Sequence, residues 1–163
     1  MRNEDIMIKH IKCDIFESGA DIICHQVNCQ GVMGSSIAKQ VRIKYPYVYA
    51  EYKRVCDKAK NRPSHLLGFP LCVFTEKGYI ANIFAQENYG YDGKCYTDYN
   101  AIKTALSLLR NEMQRTTIFT SIAIPYLMGC ARGGGDWNIV YKIIEEIFAD
   151  YDGEVLICEY NGG

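Results

Sequence analysis

Blocks of hydrophobic and polar residues alternate along this chain and predict strands and helices in turn. Apolar, β-branched runs predict six strands, near residues 7–12, 20–27, 71–75, 79–85, 118–125 and 154–159. Apolar residues at helical spacing predict four helices, near residues 36–45, 46–60, 98–114 and 136–149. The third and fourth strands should form a hairpin, so we expect one α/β domain over residues 1–163 with a mixed sheet.

The loop between the fifth strand and the last helix contains four glycines. It runs from Gly129 to Gly135, and Asp136 stands where the helix would take its N-cap. Residues without a Cβ let backbone N–H groups approach phosphate oxygens, and the positive end of a helix dipole favours an anion. The alternative is a glycine-rich surface turn. Phosphate binding is favoured because a connection of this kind is usually short and rarely needs four glycines.

The second strand is followed by a loop of the same kind. Gly34, Ser35 and Ser36 precede Ile37, which opens the first helix. In an open α/β sheet, ligands bind beyond the carboxyl ends of the strands, where such loops lie together. Two strand–loop–helix units in one small domain therefore predict a site that holds both ends of a diphosphate.

Composition narrows the class of protein further. The formal net charge is −1, so any nucleic-acid partner would have to be recognised locally. The eight cysteines form no Cys-x-x-Cys pair and have no matching histidine spacing, so we expect neither a zinc site nor another cofactor. The charged start of the chain and the lack of a long apolar run predict a cytoplasmic protein with no membrane partner, and we expect a monomer.

Taken in order, the motifs of the chain resemble the macrodomain family. The resemblance rests on residues 11–16, 20–23, 28–35, 37–38, 125–126, 129–130 and 133–137. Residues 81–86 and 96–99 resemble a bacterial and phage branch near the ADP-ribose-1″-phosphate processing proteins and the terminal ADP-ribose glycohydrolases. The resemblance implies a three-layer α/β/α macrodomain fold, with a mixed sheet of about six strands and a cleft for ADP-ribose.

The resemblance also implies ligand-binding roles at matching positions. Asp14 would accept a hydrogen bond from the adenine amino group beside the backbone N–H of Ile15, although Asp14 could instead cap the following turn. Asn28 matches the asparagine that holds the distal ribose, and Tyr160 would either pack against adenine or be a surface tyrosine. The loop residues assigned to the ligand are Gly34, Ser35, Ser36 and Ile37 and, around the diphosphate, Gly129, Cys130, Ala131, Arg132, Gly133, Gly134 and Gly135.

Three positions depart from the family pattern. Cys13, Ser36 and Ala131 stand where the family usually has glycine. Ser36 can cap the helix, but it adds a side chain where the backbone should approach the ligand. If this position needs a positive φ, a serine there costs about 1 kcal/mol. The departures therefore bear on the affinity for ADP-ribose.

The catalytic groups of the terminal ADP-ribose glycohydrolases are absent. Those enzymes use a lysine at the end of the central strand and an aspartate in the second loop, where this chain has Ala85-Gln86 and Arg132-Gly133. His25 matches a histidine of the phosphatase-like branch and is, with Asn28, the catalytic candidate. A histidine that is hydrogen-bonded within the sheet is the alternative.

Two classes of function are therefore open. One is an enzyme that hydrolyses ADP-ribose-1″-phosphate or removes ADP-ribosyl groups from an acceptor, and the other is a non-catalytic reader of ADP-ribose. The implied partner is ADP-ribose or an ADP-ribosylated macromolecule, with nucleic acid only as an ADP-ribosylated acceptor. A weaker third hypothesis is the binding of another nucleotide or of single-stranded nucleic acid, because thirteen tyrosines offer stacking faces.

Overall fold

The computed structural model of the protein describes residues 8–160, which form one sheet covered by helices. The strands are β1 (Ile8–Lys12), β2 (Ile22–Asn28), β3 (Pro70–Thr75), β4 (Gly78–Gln86), β5 (Ser121–Pro125) and β6 (Glu154–Glu159). The helices are α1 (Ser36–Lys44), α2 (Pro46–Lys58), α3 (Tyr99–Thr116) and α4 (Trp137–Ile147). All ten predicted elements are confirmed. Residue 7 of the predicted first strand lies outside the described residues.

The strand order β1–β6–β5–β2–β4–β3 brings the loops of the two glycine motifs to the same edge of the sheet. Among these strands, β3 alone runs antiparallel to its neighbour, as the predicted hairpin requires. The other pairs are parallel: β1 with β6, β6 with β5, β5 with β2, and β2 with β4. The loops that follow β2, β4 and β5 therefore leave adjacent strands at one edge, where an open α/β sheet binds its ligand.

Alternating side chains along β2 build a hydrophobic core on each face of the sheet. Ile22 and Cys24 belong to the core that α3 and α4 cover. Ile23 and Val27 belong to the core that α1 and α2 cover. Because β2 is covered on both faces, six of its seven residues are buried, and its polar residues, His25, Gln26 and Asn28, stand toward its carboxyl end. The three-layer α/β/α arrangement is therefore confirmed.

Local hydrogen bonds set the starts of the helices. The side chain of Asp98 accepts a hydrogen bond from the backbone N–H of Ala101, and that of Asp136 accepts one from Asn138. The N-cap at Asp136 is as predicted. The predicted capping role of Ser36 is wrong, because Ser36 is the first residue of α1 and the N-cap is the residue before it. Ser35 takes the N-cap position and makes no side-chain hydrogen bond there.

In the part of the chain that the structure describes, no helix is long and apolar enough to cross a membrane. All eight cysteines are free thiols. Residues 8–160 also contain no group of three or more histidine, cysteine, aspartate or glutamate side chains that could hold a metal ion.

Candidate functional site

A cleft of about 310 Å³ opens at the carboxyl ends of β2, β4 and β5. Its walls come from the loops after these strands, which we call L1 (residues 29–35), L2 (residues 87–98) and L3 (residues 126–136). The structure brings ten of the predicted site residues together on these walls: His25, Asn28, Gly34, Ser35, Ser36, Ile37, Gly129, Ala131, Arg132 and Gly133. The residues of the prediction that do not line this cleft are Asp14, Ile15, Cys130, Gly134, Gly135 and Tyr160.

The buried side chain of Asn28 holds L1 in shape. Its Oδ1 accepts hydrogen bonds from the backbone N–H of Gln30 and from the hydroxyl of Tyr52, both at 2.9 Å. Its Nδ2 donates to the carbonyl oxygen of Val32 at 2.8 Å. An amide nitrogen carries two hydrogens, so Asn28 keeps a second N–H that it can offer to a ribose hydroxyl.

Two non-glycine residues that line the cleft have backbones in the left-handed region. The φ angle is 53° at Ser36 and 66° at Leu127. Such a conformation typically costs about 1–3 kcal/mol and persists where the surrounding structure enforces it, which is common at functional sites. Position 36 therefore has the positive φ on which the cost of a serine there depends. This conformation explains in physical terms why the family usually has glycine there.

L3 offers backbone N–H groups to the cleft. The N–H of Gly135 donates to the carbonyl oxygen of Gly129 at 2.8 Å and closes the loop. No acceptor within residues 8–160 takes the N–H groups of Ala131, Arg132 or Gly133, and all three residues line the cleft. Successive unpaired N–H groups in a curved loop form a concave surface that favours anions.

Gly134 packs against L2 rather than on the cleft wall. Its φ is 72°, and a Cβ added there would clash with the carbonyl oxygen of Lys94 and lie 3.0 Å from Cα of Cys95. Next to it, the carbonyl oxygen of Gly133 accepts hydrogen bonds from the N–H groups of Tyr96 and Thr97. The structure therefore gives Gly134 a place in loop packing, away from the position expected for the diphosphate.

L2 is the part of the site that the motifs did not reveal. Tyr89 and Tyr91 of this loop line the cleft. The Arg132 guanidinium lies 4.2 Å from the ring centroid of Tyr91, so a cation–π contact joins L2 to L3. The signal that could have identified L2 is its length, since most connections between a strand and a helix have about 2–6 residues.

A network of polar side chains joins β2 and β4 to L2 and L3. Nε2 of Gln26 donates to Oε1 of Gln86 and to Oγ1 of Thr97, each at 2.9 Å. The Thr97 hydroxyl in turn donates to the carbonyl oxygen of Gly129 at 2.6 Å. A Cβ at Gly129 would lie 2.6 Å from Oε1 of Gln26, and the φ of Gly129 is 77°. Only glycine therefore fits at position 129.

His25 lines the cleft but is hydrogen-bonded within the sheet, which was the alternative to its catalytic role. Nε2 of His25 donates to Oδ1 of Asn82 at 2.6 Å, because Nδ2 of Asn82 itself donates to the carbonyl oxygen of Leu71. Burial lowers the pKa of His25 from 6.5 to about 4, although the bond to Asn82 opposes the shift. Nδ1 is buried without a partner among the described residues. The ring is therefore neutral near pH 7 and keeps one free lone pair.

Asp14, Ile15 and Tyr160 follow β1 and β6, at the same edge of the sheet as the cleft. Oδ1 of Asp14 accepts a hydrogen bond from the backbone N–H of Phe16 at 3.0 Å and caps a short helical turn, Ile15–Glu17. Asp14 therefore caps the turn that follows it, which was the alternative to its predicted role in binding adenine. Oδ2 is available to another donor. Tyr160 is exposed, and Tyr126 is the aromatic residue that lines the cleft beside β6.

Few ionisable side chains reach the cleft. Of the residues that the structure describes, no lysine, aspartate or glutamate lines it. Gln86 ends β4, where a glycohydrolase would need its lysine, and its Nε2 donates to the carbonyl oxygen of Asn88. Burial raises the pKa of the Cys130 thiol to about 11, so this thiol is protonated and a poor nucleophile near pH 7.

Curated relatives of the chain include proteins named for ADP-ribose chemistry. The ADP-ribose 1″-phosphate phosphatase of Scheffersomyces stipitis is 31% identical over 168 residues, which cover 91% of this chain and 96% of the relative. The DNA ADP-ribosyl glycohydrolase of Mycobacterium tuberculosis is 26% identical over 159 residues, which cover 96% of this chain. The match spans only 43% of that longer protein. A comparison with profiles of known protein families finds no match.

Solved structures share the fold along nearly the whole chain. The macrodomain of Mycobacterium tuberculosis DarG superposes with a TM-score of 0.78 at 22% identity, over 94% of this chain and 97% of that one. The Thermosipho africanus DarTG protein, solved in complex with ADP-ribose, gives a TM-score of 0.75 at 21% identity. This second match covers 93% of this chain and 41% of that one. At these identities, the likeness shows a common fold.

The fold and the cleft define a class of protein: a three-layer α/β/α domain whose loops gather around one cleft at the carboxyl edge of a mixed sheet. The relationship to the Scheffersomyces stipitis protein extends over nearly the full length of both chains. The chain belongs to the macrodomain family.

Proposed function

We propose that this macrodomain binds ADP-ribose, or an ADP-ribosyl group, in the cleft between L1, L2 and L3. One observation carries the proposal: the same cleft is lined by the N-terminal end of α1 and by L3 residues whose backbone N–H groups have no acceptor within residues 8–160. The N–H groups of Ala131, Arg132 and Gly133 would bind one phosphate, and those near Ile37 would bind the other. L1 and L3 are then the phosphate-binding loops of the protein.

The same geometry indicates which residues would bind the two ends of ADP-ribose. The second N–H of Asn28 would donate to a hydroxyl of the distal ribose. Oδ2 of Asp14 would accept from the adenine amino group, with the N–H of Ile15 beside it. An aromatic ring of this edge, Tyr126 or Tyr160, would pack against adenine.

We also propose that the bound ligand is hydrolysed, with ADP-ribose-1″-phosphate or an ADP-ribosyl linkage as substrate. Without a lysine in the cleft, a water molecule attacks directly and no lysyl adduct forms. In the phosphate reaction, water attacks phosphorus, the bond to the ribose oxygen breaks, and ADP-ribose and inorganic phosphate are released. Nδ1 of His25 carries the free lone pair that would take the proton from water, and this proton would pass to the ribose oxygen as it leaves. The name of the Scheffersomyces stipitis relative supports this choice of substrate.

A non-catalytic reader is the second candidate. The observation that favours it is the pKa of His25 near 4, which makes the imidazole a weak base in a cleft without a carboxylate among the described residues. For either function, we propose that residues 1–163 act as one monomeric macrodomain. The eight free thiols suit a reducing compartment such as the cytoplasm.

Calorimetric titration with ADP-ribose, followed by incubation with ADP-ribose-1″-phosphate and with an ADP-ribosylated acceptor, tests the proposal. We expect saturable binding of ADP-ribose and slow release of phosphate or of ADP-ribose. Binding of ADP-ribose without release of either product would support the non-catalytic reader function instead of the enzyme. A folded protein that fails to bind ADP-ribose would overturn both functions.

A further inference from the structure

Positive charge is concentrated in the layer that α1 and α2 form. Residues 36–62 contain eight of the eighteen lysines and arginines of the chain but only two of its nineteen acidic residues. The rest of the chain is correspondingly acidic, which keeps the net charge near zero. The overall charge therefore conceals a strongly basic face.

Much of this charge lies at the edge of the sheet where the cleft opens. Lys39 lies one turn into α1, whose first residue lines the cleft, and Nε of Arg42 donates to the carbonyl oxygen of Met33 in L1. Cδ of Lys53 would lie 3.1 Å from a Cβ at Gly31 of the same loop. The side chains of Arg42 and Lys53 therefore lie against L1, and the exposed Lys39 follows L1 on α1.

The end of α2 lies at the same edge. The chain continues from α2 into β3, whose first residue pairs with Ile83 near the carboxyl end of β4. Lys58, Lys60 and Arg62 precede this entry and are exposed. The cluster of six cations beside the cleft, which we call the basic rim, consists of Lys39, Arg42, Lys53, Lys58, Lys60 and Arg62.

Most of the basic rim forms no ion pair with another residue of the range 8–160. Lys53 pairs with Asp57 at 2.7 Å. Lys39, Lys58, Lys60 and Arg62 have no ion-pair partner among residues 8–160. Like charges that stand together repel one another, and a polyanion would relieve this repulsion.

Flat hydrophobic rings are exposed at the same edge. Phe69 lies seven residues after Arg62, the last cation of the rim, and is 44% exposed. Its ring stacks on that of Phe84, with 6.2 Å between the ring centroids. Tyr89 of L2 is 45% exposed and lines the cleft. Cations beside exposed rings match a ligand in which phosphates alternate with bases, because each base has a face that can stack on a ring.

We propose that the basic rim, with Phe69 and Tyr89, is a docking surface for single-stranded nucleic acid. The phosphates contact the cations and the bases stack on the rings. The proposal rests on the proposed function, because a strand bound along the rim would present its ADP-ribosyl group to the adjacent cleft. An acidic peptide would match the charges of the rim but would leave the rings without a partner.

Fluorescence anisotropy with an unmodified, labelled oligothymidylate of about 20 nucleotides tests the docking surface without an ADP-ribosyl group in the cleft. We expect Lys39→Glu/Lys58→Glu to weaken binding by about tenfold. The dependence of log affinity on log salt should become shallower by about 1.4, or 0.7 for each lost phosphate contact. The matched control is Lys103→Glu/Lys142→Glu, which changes the net charge equally on the exposed surfaces of α3 and α4. This control should retain most of the affinity.

A second pair of variants tests the rings. Phe69→Leu should weaken binding of the oligonucleotide, whereas Phe74→Leu should not, since Phe74 is 65% exposed on a strand but lies outside the rim. Three results would overturn the proposal. The two charge-reversal variants could lose oligonucleotide affinity equally, or the unaltered protein could fail to bind the oligonucleotide at about 50 mM salt. The unaltered protein could also bind polyglutamate as strongly as the oligonucleotide. ADP-ribose titration of the same variants should give unchanged affinities. Failure of the proposed function would instead appear as failure to bind ADP-ribose in the unaltered protein.

Discussion

His25 and Asn82 are joined by a hydrogen bond of 2.6 Å between neighbouring strands, beside the wall of the cleft. Burial holds the pKa of His25 near 4. The histidine is therefore a neutral partner in the sheet at physiological pH, and its protonation is linked to the stability of the fold.

We predict that His25 makes the protein sensitive to acid. The unfolded chain takes up a proton near pH 6.5, whereas the folded chain resists it until about pH 4, so the stability from this group is complete above pH 6.5 and is lost as the pH falls. The loss should reach about 3 kcal/mol at pH 4. Chemical denaturation at several pH values should show a smaller loss for His25→Gln than for the unaltered protein. His65→Gln, at an exposed histidine, is the control and should behave like the unaltered protein.

If the protein releases phosphate from ADP-ribose-1″-phosphate, the rate should depend on His25 as a base. Because its pKa is about 4, the rate should be flat between pH 6 and 9 rather than rise through pH 6.5. His25→Ala should slow release by about 10²–10⁴-fold and leave ADP-ribose binding nearly intact. A rate that is unchanged in this variant would show that His25 has only its structural role.

Ser36 should be replaceable by glycine with a gain in stability. Its φ of 53° strains a residue with a side chain, so Ser36→Gly should raise the free energy of unfolding by about 1 kcal/mol and tighten ADP-ribose binding. Ser36→Ala keeps the Cβ and serves as the control. If both variants bind ADP-ribose more weakly, the serine hydroxyl contacts the ligand and the strain argument fails for affinity.

Asp14 should matter for adenine in particular. Because a bond to a charged acceptor contributes about 1.5–3 kcal/mol, Asp14→Ala should weaken ADP-ribose binding by that amount. The inosine analogue lacks the amino donor and should be affected much less. Equal losses for the two ligands in titration would mean that Asp14 acts only through its bond to the N–H of Phe16.

The fold could be predicted because each element has a strong local signal. Alternating and continuous apolar runs marked the strands, and Asp136 marked a helix start that the structure confirms. The fifth strand begins at Ser121, where its pairing with β6 begins, rather than at residue 118, and the apolar Ile118 before it is exposed. Hydrophobicity alone does not reveal burial at the end of an element.

The parts of the candidate site that glycine-rich loops form could be predicted from the sequence. The parts whose position depends on contacts between distant residues could not. The motifs identified L1 and L3, but the contribution of L2 depends on the pairing of Arg132 with Tyr91 across the cleft. The orientation of Gly134 toward Lys94 likewise depends on how L2 packs on L3. Neither contact leaves a pattern in the local sequence.

The orientation of Gly134 also decides which substitution tests the cleft. A side chain at Gly134 would displace L2 from L3, so lost binding in such a variant would not identify the ligand site. Gly34 lines the cleft, and a Cβ there meets only Cγ1 of Val32 at 3.7 Å, an ordinary contact. Substitutions at Gly34 should therefore leave the fold intact.

Calorimetric titration of Gly34→Glu with ADP-ribose, beside Gly34→Ala, tests most directly whether the cleft binds the diphosphate. The carboxylate of the glutamate variant would face the phosphates, and like charges at short range repel strongly. We predict that Gly34→Glu loses measurable binding, whereas Gly34→Ala keeps an affinity close to that of the unaltered protein. An unchanged affinity in a folded Gly34→Glu variant would contradict the assignment of this cleft as the ADP-ribose site.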